Sequence, residues 1–371
     1  MTISARVEHI GSLLRPAYLR TAREAYAAGT SQPAELKAAE DRAVREVVAM
    51  QEEVGLPVVS DGEQRRESFQ SELAAACDGF TGVDLDAWLW GAWHSADAGV
   101  GDATIDRPAD LAVTAKLHKR RNLAAEEFTY LRATTTRQTK VTLPSPSLFA
   151  NLWSPEQSTS AYNTLDAFLA DVVDILRDEV RELVRLGASY LQLDAPHYPL
   201  LIDPQWRAFY EARGWPLERW LSYGIELDNA VIQAGRPATF GFHLCKGNQL
   251  SRWLVAGAYD PIAGPVFGAI DADRLLLEYD DERSGSFDAL RLVPDDKQVV
   301  LGLVTTKNSS LESMADLQAR IAQASTVIDR ERLAISPQCG FATSVEGNAI
   351  TPDAQRAKLA RLVEAAAEYL G

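Results

Sequence analysis

Two potential metal ligands stand two residues apart in His243-Leu244-Cys245, so on an extended strand end both side chains point to the same side. A third, Cys339, follows in SPQCGFAT, and Glu278 closes the run LLLE. Two thiolates, an imidazole and a carboxylate make a credible tetrahedral shell for Zn2+. Three anionic ligands outweigh the charge of the ion, which makes it a poor Lewis acid toward carbonyls. The same set keeps a bound thiol deprotonated and electron-rich, so the chemistry it points to is attack of a small thiol on an alkyl carbon. The remaining cysteine, Cys77 in ELAAACDGF, reads as a small apolar helix residue without a reactive role.

Such ligands need a scaffold that delivers them to one place. Eight short β-branched or aromatic runs occur, at Arg6–Ile10, Pro57–Ser60, Gln138–Leu143, Tyr190–Asp194, Thr239–Leu244, Leu275–Glu278, Gln298–Val304 and Leu333–Ser336. Amphipathic helical patterns lie between them, among others at Ala34–Val54, Leu165–Leu186, Leu217–Ala234, Met314–Ile328 and Pro352–Leu370. This alternation predicts an α/β chain forming a single (β/α)8 TIM barrel over residues 1–371, because the glycine-rich first turn of an open dinucleotide-binding sheet is absent. An irregular, Trp-rich insertion near residues 79–136 is expected to pass over the barrel mouth. Polar residues follow most of the runs, including Ser12, Asp61, Glu63, Ser145, Asp194, His197, His243, Cys245, Glu278 and Cys339. In a barrel, that edge builds the active site.

Composition narrows the field. The chain has 371 residues, with 37 Lys+Arg against 52 Asp+Glu and a net charge of −15, so binding along a nucleic-acid backbone is not expected. Three cysteines cannot staple a chain of this length and fit a reducing compartment. The N-terminus shows no signal-peptide pattern and no apolar stretch of spanning length follows, so the expectation is a cytoplasmic protein with no membrane partner.

Taken together, HIGSLLRP, VVSDGEQRRESF, LQLDAPHY, FHLCKGN, LLLEYDDERSG, LGLVTTK and SPQCGFAT resemble the catalytic barrel of cobalamin-independent methionine synthases and their single-barrel relatives. The resemblance runs over almost the whole chain in the family's order. It implies catalytic zinc on His243, Cys245, Glu278 and Cys339, and methyl transfer to homocysteine from a donor such as 5-methyltetrahydrofolate. It also implies that homocysteine is held by Ile10, Gly11 and Ser12 and by the carboxylates Glu63 and Asp194. That set is chemically sensible, since a turn with a hydroxyl and backbone N–H groups receives a carboxylate while two acids receive an ammonium. On the residues alone, Glu63 also reads as an acid at a helix start, and Asp194 as a cap or a partner of His243.

Two departures bear on the donor. The family carries a histidine after the seventh strand that assists the leaving group; here the segment is VTTKNSS, so either Lys307 with a lowered pKa, or His197, is the catalytic acid, or the donor differs. The synthases that use polyglutamylated folate have two barrels. Arg15, Arg65 and Arg66 form the candidate patch for such a tail, or else are solvated arginines at the barrel mouth or carboxylate partners within the fold. The partners expected are therefore a small-molecule thiol and a methyl or alkyl donor, with the cofactor-type donor site and the oligomeric state left open. Two rivals remain. An epoxyalkane:coenzyme M transferase would line its thiol pocket with cations for a sulfonate, and a uroporphyrinogen decarboxylase-like barrel would need no metal.

Overall fold

Pairing between the short apolar runs decides the architecture. The computed structural model describes residues 3–69, 71–81, 89–107 and 111–371. In chain order the strands are β1 (Val58–Val59), β2 (Cys77–Thr81), β3 (Gly91–Trp93), β4 (Ala103–Ile105), β5 (Ala112–Lys119), β6 (Gln138–Thr139), β7 (Val141–Pro144), β8 (Tyr190–Asp194), β9 (Thr239–Leu244), β10 (Arg274–Glu278), β11 (Gln298–Val304) and β12 (Leu333–Pro337). Strands β7 to β12 form one parallel sheet in sequence order, and β1 pairs in parallel with β6, which leads directly into β7. The circuit continues at Val7, which bridges Ile335 in parallel. This is the expected (β/α)8 barrel order.

Two expected strands are shorter than their apolar runs. Arg6–Ile10 contributes a single bridge before turning into the Gly11-Ser12 loop, where Ser12 O accepts from Phe341 N at 2.8 Å. Gln138–Leu143 breaks at Lys140, whose N–H goes to Val59 O while its ammonium turns inward to Glu8 at 2.8 Å. Glu8 also meets Arg274 at 3.0 Å and accepts from Tyr190, so a buried polar cluster occupies this part of the core. Above it, Ile10, Leu276, Val300 and Ala334 make a small apolar cluster. Leu276, Val300 and Ala334 are register partners, so they occupy one layer across three strands.

The helices cover the outside because each has one apolar face. In the helix Leu165–Leu186 the buried positions recur at intervals of one and three, from Leu165 and Phe168 through Leu169, Val172, Val173, Leu176 and Glu179 to Val180 and Leu183. Thr164 accepts from Ala167 N and fixes its start. The pattern at Leu217–Ala234 is one helical path with a π turn at Trp220–Gly224.

The Trp-rich excursion is more regular than its sequence suggests. Strands β2 and β5 form an antiparallel ribbon, β3 and β4 form a second, and the helix Leu123–Thr134 then returns the chain to the barrel. Cys77 opens β2 rather than sitting in a helix, because the preceding helix ends at Ala76; it is buried in the core. The second ribbon is tied over the mouth by a two-way backbone bridge, His94 N to Trp253 O at 2.8 Å and Trp253 N to His94 O at 2.9 Å. Residues 82–88, with Trp88 among them, lie outside the described part.

Candidate metal centre and binding cavity

Register builds the first part of the site. Asp194 and His243 are direct partners across β8 and β9, so their side chains leave the sheet on the same side. His243 Nδ1 donates to Asp194 Oδ1 at 2.8 Å, and Gln192 Nε2 donates to the same oxygen at 2.8 Å. This fixes the tautomer and leaves Nε2 as a buried lone pair with no hydrogen-bond partner among the described residues. Cys245, two residues on, follows the same side, and Cys339 arrives from the loop after β12. The two sulfurs are 3.4 Å apart, and the ligand atoms of His243, Cys245 and Cys339 all lie within 4.8 Å of one another. A soft N, S, S set with an orphaned imidazole nitrogen suits a thiophilic cation.

Electrostatics in this cluster are coupled. The hydrogen bond between the thiols lowers the pKa of Cys339, against burial and with help from His243, and raises that of Cys245. Burial alone would lower His243, but the bond to Asp194 and the nearby thiol and carboxylate charges hold its pKa up.

Glu278 stands beside this group and outside the three-residue set. Its Oε2 accepts from Lys246 N at 3.0 Å, and its Oε1 from Arg283 at 2.7 Å and Lys307 at 3.4 Å. Burial opposes its charge, yet Lys307 and Arg283 hold its pKa down at about 2, so it is a carboxylate at any working pH. Lys307 also reaches Asp280 at 3.5 Å. The expectation of a lysine with a lowered pKa is therefore reversed: burial pulls it down, but Asp280 and Glu278 outweigh burial and raise it. Arg283 also pairs with Asp280 at 3.1 Å and Asp281 at 3.4 Å.

A cleft opens onto the thiols and is lined by Ile10, Gly11, Ser12, Glu63 and Asp194 among others. Glu63 has φ 56°, a left-handed conformation uncommon for a side-chain-bearing residue. Asp61 Oδ1 accepts from its N–H at 3.0 Å, and Arg15 donates to its carbonyl at 3.0 Å. The strained backbone aims the carboxylate inward: Oε1 accepts from Thr142 at 2.9 Å, while Oε2 is buried without a partner among the described residues. Burial, helped by the charge of Asp194 and opposed by Arg66 and Arg15, raises its pKa to about 7. Two glycines make these approaches possible. A Cβ at Gly11 would stand 2.6 Å from Glu63 Oε1, and one at Gly340 would stand 2.1 Å from Ser12 Oγ.

His197 is placed away from this chemistry. It is fully buried, meets Ser147 Oγ at 2.8 Å in a network with Asp228 and Tyr198, and burial pushes its pKa down to about 3. At neutrality its ring is a neutral imidazole, whose remaining N–H is a very weak acid, and it is not among the described residues lining the cleft, so its position does not support the candidate acid role. The arginine patch also dissolves. Arg15 is spent on the carbonyls of Glu63, Arg66, Ala342 and Ser344, Arg66 grips Glu127 at 2.7 Å, and Arg65 pairs with Asp41 at 2.5 Å. Sequence reasoning missed Trp93, Phe69 and Asn248. Trp93 and Phe69 line the cleft. Asn248 also lines it and ties the loop after β9 to the last loop by donating to Gly340 O at 2.7 Å. The clustered tryptophans at 88–93 were the available signal for the first.

Comparison with known proteins places this geometry in context. The family model described as the cobalamin-independent synthase catalytic domain matches residues 6–368. The uncharacterized protein YxjH of Bacillus subtilis is 32% identical, with 97% of this chain and 93% of that protein covered. A methionine synthase of Saccharolobus solfataricus is 24% identical over 90% of this chain and 86% of its own length. Among solved structures, a putative vitamin-B12 independent methionine synthase from Listeria monocytogenes superposes with a TM-score of 0.74 at 24% identity, covering 100% of this chain and 99% of that one. A B12-independent methionine synthase from Shewanella sp. W3-18-1, in complex with selenomethionine, gives 0.72 at 19% identity, with 99% and 97% covered. Both share the fold.

Proposed function

Because the chain belongs to the cobalamin-independent synthase catalytic-domain family, we propose that it is a thiol S-methyltransferase making methionine from homocysteine, with His243, Cys245, Cys339 and Glu278 as ligands of one Zn2+ ion. The observation that carries this reading is the convergence of His243 Nε2 and two cysteine sulfurs on a cavity that also takes in Glu63 and Asp194. When bound, zinc supplies one thing here: it keeps the acceptor sulfur a thiolate near neutral pH.

The rest is done by the chain. Asp194 holds the imidazole so that Nε2 faces the thiols. Arg283 and Lys307 keep Glu278 ionised, which makes it fit to be a ligand; Lys307 acts as a charge partner of Glu278 and not as a proton donor. The α-ammonium of homocysteine supplies the donor that Glu63 Oε2 lacks, and Asp194 adds a second acceptor. The Ile10-Gly11-Ser12 turn receives the α-carboxylate. Two acids and no lysine or arginine among the described lining residues favour an amino-acid thiol over a sulfonate such as coenzyme M. The selenomethionine held by the Shewanella protein is the product-like ligand that this pocket chemistry calls for.

The test is metal analysis alongside activity. Purified protein should carry one zinc per chain, and Cys245→Ser and Cys339→Ser should lose zinc and methionine formation together. Full turnover by a verified zinc-free Cys339→Ser protein contradicts the proposal.

A further inference from the structure

The cavity bears on the methyl donor as well as the acceptor. No Lys or Arg occurs among its described lining residues, and residues 70, 82–88 and 108–110, outside the description, contain none in sequence. Nearby cations are committed elsewhere. Arg15 clamps four carbonyls, Arg66 holds Glu127, Lys246 Nζ donates to Gly257 O at 2.6 Å, and Lys307 lies between Glu278 and Asp280. What the cavity does offer is two carboxylates, Glu63 and Asp194, and two aromatic side chains, Phe69 and Trp93. Trp93 is held in place by its ribbon, packing against Gly247 in the loop that follows Cys245. An anionic donor finds no counter-charge among these groups. With both acids facing the acceptor's ammonium, a cationic one still finds the aromatic faces of Phe69 and Trp93.

Proton supply points the same way. A methyl group on a tertiary amine leaves only if the nitrogen is protonated in the transition state. The Nδ1 proton of His243 is committed to Asp194, His197 does not reach the cavity, and Lys307 is locked in ion pairs. Glu63 is occupied by the acceptor ammonium under the function proposed above, on which this inference rests. A donor that already carries its positive charge needs no acid.

We propose that the methyl donor is an onium compound, a sulfonium or a quaternary ammonium, rather than a folate. The acceptor thiolate gives its electron pair to the methyl carbon and forms the new S–CH3 bond. The old C–S+ or C–N+ bond breaks with both electrons going to the leaving atom, which departs as a neutral thioether or tertiary amine. Donor cation and thiolate anion become two neutral centres, and no proton, oxidant or reductant is consumed.

The experiment supplies zinc-loaded protein and homocysteine with trideuteromethyl donors: S-methylmethionine, trimethylsulfonium, glycine betaine, and 5-methyltetrahydrofolate as its mono- and triglutamate. Mass spectrometry then reads labelled methionine. At least one onium donor should exceed both folates by about tenfold or more. Label from a folate alone, equal rates, or no label from any donor overturns the inference. Homocysteine binding by calorimetry judges the acceptor reading separately, and its persistence shows that only the donor assignment failed. Binding of the inert probe tetramethylammonium to the methionine-bound protein should weaken by about tenfold in Trp93→Leu and in Phe69→Leu, the size expected for losing an aromatic face from a desolvated cation. Unchanged binding in both folded variants refutes the aromatic contribution and with it the donor site.

Discussion

Glu63→Gln is expected to make the protein more stable and worse at binding its amino acid, and pH should reveal why. The Glu63 carboxyl is raised from an ordinary 4.5 to about 7, chiefly by burial. A carboxyl raised in the folded state binds its proton more tightly there than when unfolded. Its contribution to stability is therefore complete below pH 4.5 and is lost as pH rises towards 7. Above that, the ionised group costs about 3 kcal/mol, an upper value that Glu63→Gln should recover. Ligand binding runs the opposite way, because only the ionised form pairs with an ammonium. The ionised fraction grows from about one-eleventh at pH 6 to about ten-elevenths at pH 8, so methionine affinity should rise by about tenfold over that range. At pH 7 binding should also expel roughly half a proton. Titration calorimetry in buffers of different ionisation enthalpy measures both quantities. Affinity that is flat or falls from pH 6 to 8, or a slope that survives in Glu63→Gln, refutes the assignment of Glu63 to the ammonium.

Other consequences follow from the same geometry. Asp194→Asn removes the anionic acceptor that fixes the His243 tautomer, and zinc affinity in a chelator competition should fall by about 10- to 100-fold. Gly340→Ala places a methyl 2.1 Å from Ser12 Oγ and 3.1 Å from its backbone; overpacking of this kind costs about 1–3 kcal/mol in denaturant melts, and methionine binding should weaken as the Ser12 turn shifts. Lys307→Met leaves Glu278 and Asp280 buried with one cation fewer. A loss of about 3–5 kcal/mol is expected in urea unfolding, partly recovered by adding Asp280→Asn.

Much of this arrangement was legible in the chain. H-x-C works as a sequence signal because period-two geometry sends both side chains one way, and parallel register then sets Asp194 beside His243 without further information. Cys339 was legible only through barrel closure, since β12 stands three strands away from β9. Other features were hidden for physical reasons. The excursion reads as irregular because ribbons of three to eight residues carry too little periodicity, yet its Trp93 reaches the cleft through a backbone bridge between His94 and Trp253 that no side-chain pattern announces. The state of Lys307 was misread because its pKa depends on Glu278 and Asp280, which come from another strand's end and outweigh burial. Likewise His197 follows a strand end, where barrels place reactive groups, but its ring turns into a buried network with Ser147 instead of towards the cleft. Strand-end position states where a residue stands, and packing decides which way it points.

The central claim is that the thiols of Cys245 and Cys339, with His243, hold a zinc to which the acceptor adds its own sulfur. X-ray absorption at the zinc edge, recorded on the holoenzyme before and after homocysteine, measures this directly. The account predicts two sulfur scatterers before and three after, with no increase in Glu63→Gln at homocysteine concentrations that saturate the parent protein. A spectrum unchanged by saturating homocysteine in the parent protein contradicts it.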